Sequence, residues 1–154
     1  MFEKLLAYAF LLDAGIVPRS DYGEYLDSVF IETPDNEMLL ELEWCVSDIQ
    51  KSISIIRQQC YENSIDYDIF GRFLFSKLEE AYFLNGMDIE IFGEKSYAIW
   101  QHLPEEIHHS EPFWTLCYAD DPLSWGDEKQ TREIYEKAFR FYDSTKQKCL
   151  VNKC

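Results

Sequence analysis

The residues best suited to metal chemistry form one short cluster. Glu105 and Glu106 precede His108 and His109 by three residues each, so the Glu-x-x-His spacing occurs twice in overlapping register. Di-iron helical bundles use this spacing, but they bring it from two helices and add further glutamates. Neighbouring residues on a helix point about 100° apart, so one overlapping cluster does not converge on a single ion. We therefore expect no metal ion and no cofactor.

Other spacings typical of catalysis are missing from the sequence. It contains no His-Glu-x-x-His, no phosphate-binding glycine loop, no Gly-x-Ser-x-Gly and no Gly-x-Gly-x-x-Gly motif. Cys117 follows the histidines, but its acidic neighbours should raise the pKa of its thiol and so suppress nucleophilic attack. We therefore expect that the chain is not an enzyme. The remaining cysteines lack Cys-x-x-Cys spacing, which predicts free thiols in a reducing cytoplasm: Cys45, Cys60, Cys149 and Cys154.

Acidic side chains dominate the chain and are unevenly distributed. There are 29 acidic and 14 basic residues, a formal net charge of −15. Residues 20–50 hold nine acids and residues 96–128 hold seven, and neither stretch contains lysine or arginine. Residues 1–128 carry a net −19, whereas residues 129–154 carry +4. Nucleic acids and anionic membranes are bound through lysine and arginine, so we expect neither as a partner. The charge predicts a basic protein partner or, alternatively, a merely solvated acidic face.

One acidic stripe includes a tryptophan. Glu37, Glu41, Trp44 and Asp48 follow one another at steps of four, three and four, which places them on one side of a continuous helix. An aromatic anchor within a ring of charge is typical of interface hot spots, so the stripe is the first candidate for partner binding. The alternative is that a neighbouring helix covers Trp44 and that only the acids are exposed.

A second candidate lies in a proline-containing loop. Asp120 and Asp121 precede Pro122, and Trp125 stands two residues before Asp127. The loop could present its acids to a basic cleft. The alternative is a structural turn in which the tryptophan acts as a plug and Asp127 caps the helix that follows.

The hydrophobic pattern is helical throughout and shows no convincing strand. We predict an all-α fold of five to seven helices, forming a helical bundle or hairpin array as a single compact domain over residues 1–154. The predicted helices cover residues 2–14, 20–30, 36–61, 66–84 and 88–101, with a last one after Asp127; residues 110–126 form one or two turns and an ordered loop. The longest of them carries a seven-position core row: Met38, Leu42, Cys45, Ile49, Ile53, Ile56 and Cys60.

An apolar run near the start of the chain invites comparison with a targeting segment. Residues 5–12 are apolar, but Glu3 and Lys4 cancel in charge before them and Asp13 follows at once. The run is a poor signal peptide and too short to span a bilayer, so we expect it to be the buried face of the first helix.

The chain resembles the small acidic immunity proteins that bacteria pair with secreted or contact-delivered toxins. The resemblance lies in its acidity, in its lack of catalytic motifs and in the stripe of Glu37, Glu41, Trp44 and Asp48. Residues 119–139, ADDPLSWGDEKQTREIYEKAF, are similar to helical bacterial families of unassigned function, some of them encoded near toxin genes. The resemblance implies inhibition of a toxin, often a nuclease with a basic active-site groove. It assigns no individual binding residue.

The expected function is therefore to bind and occlude a basic toxin domain. A helical adaptor or regulator with another basic partner is the first alternative. A helical enzyme that uses carboxylates or the histidine cluster as a metal site is the second.

Overall fold

The computed structural model describes residues 1–84 and 86–143, and within them the chain is all-α, as predicted. These residues form nine α-helices and one 3₁₀ helix, more than the five to seven expected, and no strand. The helices are α1 Phe2–Asp13, α2 Arg19–Glu32, α3 Glu37–Trp44, α4 Ile49–Glu62, α5 Tyr67–Leu84, α6 Ile89–Gln101, α7 Glu105–His108, α8 Thr115–Tyr118, the 3₁₀ helix Asp121–Trp125 and α9 Glu128–Phe139.

The packing divides the chain into two units, with the boundary after Leu74 and within the sequence of α5. In the first unit, α1 packs against α4, α2 against α3, and α3 against α4. Its core consists of side chains with no appreciable exposure, among them Leu5, Leu11, Tyr22, Leu26, Leu39, Leu42, Ile56 and Phe70.

The second unit has an aromatic core. Helix α6 packs against α8, and α9 packs against α8 and the 3₁₀ helix. The Phe92 ring meets the Tyr135 ring edge to face at a centroid distance of 5.0 Å, and the Tyr82 ring contacts both Phe92 and Phe139. Such edge-on contacts orient the rings as well as burying them.

The apolar run at the start of the chain is buried, as expected. All residues from Leu5 to Leu12 lie in the core of the first unit within α1. Gly15 follows the helix with a φ of 63°, a left-handed conformation that favours glycine. In the part of the chain that the structure describes, no helix is both long and apolar enough to cross a membrane.

The long helix predicted for residues 36–61 is wrong, because the chain breaks between α3 and α4. Cys45 ends α3, and the Asp48 amide donates to the Cys45 carbonyl at 2.7 Å across the turn. The Asp48 carboxylate then accepts a hydrogen bond from the Lys51 amide at 3.1 Å and caps α4. The predicted core row is nevertheless buried at all seven positions, so the pattern marks burial correctly across the break.

The remaining predicted helices agree closely with the structure. Asp66 and Asp88 cap α5 and α6 through their carboxylates, and Asp127 caps α9 by accepting from the Gln130 amide at 2.9 Å. The short helices α7 and α8 and the 3₁₀ helix account for much of the excess over the predicted number. Cys149 and Cys154 lie outside the described residues.

Candidate functional site

The exposed side of α3 carries Trp44, an aromatic residue within the acidic stretch of residues 20–50. Trp44 is 80% exposed, so the alternative in which a neighbouring helix covers it is wrong. Within the described residues its ring makes no hydrogen bond and contacts no other ring. Burial of Met38, Leu39, Leu42 and Cys45 fixes the opposite side of the helix in the core.

The α3 face consists of Glu37, Leu40, Glu41 and Trp44, all of them exposed. They follow the spacing i, i+3, i+4, i+7, which places them side by side on one helix surface. Leu40 and Trp44 are one turn apart, so their side chains form a small apolar strip with a carboxylate beside each of them. Sequence reasoning missed Leu40, although the same spacing contains it.

In the described part of the chain, no basic side chain forms an ion pair with the α3 face. Neither Glu37 nor Glu41 takes part in an ion pair in the described part of the chain. Arg19, the basic residue that precedes the acidic stretch, directs its guanidinium to the Ser47 carbonyl at 3.4 Å. The face therefore combines exposed apolar area with uncompensated negative charge.

Asp48 does not belong to this face. It lies beyond the end of α3, and its carboxylate is engaged in capping α4. The predicted stripe assumed a continuous helix, and the break at residues 45–48 removes that premise. Asp48 is exposed, but its role at the helix terminus is structural.

The second candidate, Asp120, Asp121 and Trp125, is only partly presented to solvent. The Asp120 side chain packs on Gly93 of α6, whereas Asp121 is exposed. Burial raises the pKa of the Asp120 carboxyl; its own backbone amide lowers it in part, and Asp121 and Glu94 raise it further. Trp125 is 63% exposed and so is not a plug. An exposed tryptophan and one free carboxylate make this a smaller charged surface than the α3 face.

Glu43 of α3 is electrostatically coupled to a carboxyl group of α2. Among the described residues, its buried oxygen Oε1 has no hydrogen-bond partner. Burial raises the pKa of Glu43, and the Asp27 carboxylate raises it further. Asp27 is exposed and Glu43 is half-buried, so the pair opens to solvent. Sequence reasoning missed this pair, because its members come from different helices.

The histidine cluster is built into an aromatic group. The His108 ring stacks on Trp100 at 4.1 Å, and the Trp100 indole N–H donates to the His108 carbonyl at 2.9 Å. His109 contacts Trp114 with ring centroids 5.1 Å apart. Residues 1–84 and 86–143 contain no group of three or more histidine, cysteine or acidic side chains that could hold a metal ion.

The described cysteines, Cys45, Cys60 and Cys117, are free thiols. Burial raises the pKa of the Cys117 thiol, and Asp121 and Asp120 raise it further, as the acidic sequence around it predicts. Burial also raises the pKa of Cys60 to about 11. Neither environment favours a thiolate nucleophile.

The second unit also holds a groove of about 430 Å³ beside α8 and α9. Its Glu111 carboxylate accepts hydrogen bonds from the Thr115 hydroxyl at 2.6 Å and the Tyr118 hydroxyl at 3.1 Å. These contacts satisfy the carboxylate within the unit. The α3 face therefore remains the strongest candidate, and its chemistry is suited to contact with a cationic, partly apolar protein surface.

Comparison with protein-family models, with curated proteins and with solved structures finds no match.

Proposed function

We propose that the chain is an inhibitory binding protein that docks the α3 face on a basic protein domain, as an immunity protein docks on its toxin. The observation that carries the proposal is the exposure of Trp44, one turn beyond Glu41 on α3, with no hydrogen-bond or ring partner among the described residues. Tryptophan is enriched among the residues that dominate the binding energy of protein interfaces, where its large apolar surface becomes buried.

The side chains of the α3 face would divide the work of binding. Trp44 and Leu40 would supply apolar contact area, which controls mainly the rate of dissociation. Glu37 and Glu41 would attract a positively charged partner and accelerate encounter. This division is the usual arrangement of a hot spot surrounded by charge.

The charge of the whole chain supports a basic partner. The acids of residues 20–50 outnumber the bases nine to none, and this stretch includes α3 and most of α2. A positive protein surface would therefore meet complementary potential across a broad area around Trp44.

The test asks first whether the adjacent gene encodes a basic toxin domain, and then whether this chain protects a cell that expresses that domain. We expect co-expression of this chain to restore growth, and the purified proteins to form a complex. Trp44→Ala should lose at least about 2 kcal/mol of affinity and most of the protection. Tyr61→Ala is the matched control, because Tyr61 is 93% exposed but lies on α4 away from the α3 face.

The outcomes separate the alternatives. Loss of binding in Trp44→Ala with retention in Tyr61→Ala supports the α3 face. A complex without growth inhibition by the partner would favour the adaptor or regulator. Equal affinities for the parent and Trp44→Ala would refute this face as the interface.

A further inference from the structure

The groove beside α8 and α9 is large enough to hold a small molecule. Its volume of about 430 Å³ lies in the range of known small-molecule sites. The groove belongs to the second unit and the α3 face to the first, so a ligand of the groove is a function separate from the proposed one.

Apolar side chains provide most of the accessible surface of the groove. Pro112 and Ala138 are buried, and Ile134 and Phe141 are half-buried. Ile134, Ala138 and Phe141 follow the spacing i, i+4, i+7, typical of one row along a helix, and all three line the groove. An apolar chain laid along this row removes water from all three side chains, which favours binding.

The negative charge in the groove is already engaged by the protein. The Glu111 carboxylate accepts hydrogen bonds from the Thr115 hydroxyl at 2.6 Å and the Tyr118 hydroxyl at 3.1 Å. Both hydroxyl protons are thus directed at Glu111 rather than at a ligand. The polar group of a ligand therefore finds its partners on α9.

Two cations line the α9 side of the groove. Lys137 and Arg140 stand three residues apart, so they are neighbours on the helix surface. Lys137 forms no ion pair with any described residue, and Arg140 reaches Glu136 at 3.7 Å. Two cations and the Glu111 carboxylate give the lining a net charge of +1, in a chain whose formal charge is −15. This local balance suits a ligand with a single negative charge.

We propose that the groove binds a monocarboxylate with an apolar body, in the class of medium-chain aliphatic acids. The carboxylate pairs with Lys137 and Arg140, because an ammonium and a guanidinium both donate charge-assisted hydrogen bonds to carboxylate oxygens. The apolar body lies along the row of Ile134, Ala138 and Phe141.

The two cations also have a structural alternative. Lys137 stands in the last turn of α9 and Arg140 is its C-cap residue, positions at which positive charge interacts favourably with the helix dipole. A role confined to the helix end would change stability and leave the affinity for a carboxylate ligand unaltered. The test therefore measures affinity.

The test uses the full chain and octanoate as the probe, at neutral pH and ~0.1 M salt to screen diffuse attraction. Isothermal titration calorimetry measures the affinity, and carbon-13 NMR of the Ile134 and Ala138 methyl groups locates the bound probe. We expect saturable binding with shifts at these methyl groups.

Three further probes separate the contributions of charge and chain. Octanol has the same chain without the charge and should bind about tenfold more weakly. Octylammonium should bind more weakly still, because Lys137 and Arg140 repel its charge. Butanoate lacks four methylene groups and should bind about a hundredfold more weakly than octanoate.

Lys137→Gln removes one partner of the carboxylate and should weaken octanoate binding by about tenfold, whereas Lys137→Arg should retain most of the affinity. Lys129→Gln is the matched control, because Lys129 is also an exposed lysine of α9 but does not line the groove. It should bind octanoate as tightly as the parent.

Several results would overturn the proposal. They are the lack of saturable octanoate binding, equal affinity for octanol or octylammonium, and unchanged affinity in Lys137→Gln. Equal losses in Lys137→Gln and Lys129→Gln would also overturn it, because attraction would then come from general charge. None of these results depends on Trp44, so the α3 face stands or fails by its own test.

Discussion

The Asp120 side chain packs directly on the helix surface left open by Gly93. A Cβ added to Gly93 would lie 2.7 Å from the Asp120 Cβ and 3.0 Å from its Oδ2. Both residues belong to the second unit, and Gly93 itself is buried within α6. Gly93 therefore permits a close approach of Asp120, and any larger residue at this position would displace the Asp120 side chain.

Gly93→Ala should destabilise the protein by about 1 to 3 kcal/mol, because the added methyl group overpacks this contact. Alanine has the higher helix propensity by about 1 kcal/mol, so a purely local effect would have the opposite sign. Chemical denaturation of the parent and the variant measures the difference.

Gly23→Ala is the control for helix propensity. Gly23 lies inside α2, and nothing is within 4 Å of the Cβ that alanine would add. This variant should gain about 0.5 to 1 kcal/mol. A gain of the same size in Gly93→Ala would contradict the close contact with Asp120.

A second prediction contrasts a buried and an exposed residue of the same stretch. Ile53→Ala should lose about 2 to 5 kcal/mol of stability, because Ile53 is buried in the core row. Trp44→Ala should change stability by less than about 0.5 kcal/mol, since surface residues without partners contribute little. Thermal unfolding of both variants tests the contrast, and a large loss in Trp44→Ala would mean that the ring is covered in solution.

The seven-position core row shows which features of the structure the sequence pattern predicts and which it does not. Its apolar positions correctly predict which side of residues 38–60 is buried, because burial depends on the side-chain pattern. They do not reveal the break at Cys45, because a helix that ends and restarts can keep the same face inward. The signal for the break is Asp48, a good capping residue within the predicted helix.

The candidate site was predictable to a similar extent. The exposed tryptophan and two of its acids lie on one face because they are local neighbours within α3. The effect of Asp27 on the pKa of Glu43 arises because α2 packs on α3, and the Asp120 side chain meets Gly93, which lies 27 residues earlier in the chain. Such contacts depend on tertiary packing, which the spacing of one helix does not encode.

A third prediction follows from the capping role of Asp48. Asp48→Ala should destabilise the protein by about 0.5 to 2 kcal/mol, because it leaves the Lys51 amide without its acceptor. Asp48→Ser should recover most of this loss, since serine can also cap. Denaturation curves for the two variants measure the effect, and equal stability of Asp48→Ala and the parent would argue against the cap.

A fourth prediction concerns the pH dependence of stability. Folding raises the pKa of Glu43 from its usual 4.5, so the folded state holds this proton more tightly than the unfolded state. The contribution of Glu43 is therefore favourable below the unfolded pKa and is lost as pH rises through the folded pKa. Glu43→Gln should remove this loss and make the variant more stable than the parent at neutral pH.

The measurement is the difference in free energy of unfolding between Glu43→Gln and the parent across the acidic to neutral range. Asp120, whose pKa is also raised, acts in the same direction but is common to both proteins and cancels. A difference that does not vary with pH would contradict the raised pKa of Glu43.

The last prediction concerns the kinetics of binding to the basic partner. Opposite charges accelerate encounter, so the association rate of the parent should fall steeply with added salt while the dissociation rate changes less. Glu37→Lys with Glu41→Lys places positive charge on the α3 face and should slow association, flatten its salt dependence and weaken affinity. Asp48 is left unchanged, because altering it would also remove the cap of α4. Glu79→Lys with Glu105→Lys is the charge-matched control, since both residues are exposed in the second unit and form no ion pair with any described residue. If the two double variants lose association rate equally, attraction comes from net charge alone and the α3 face is not the docking surface.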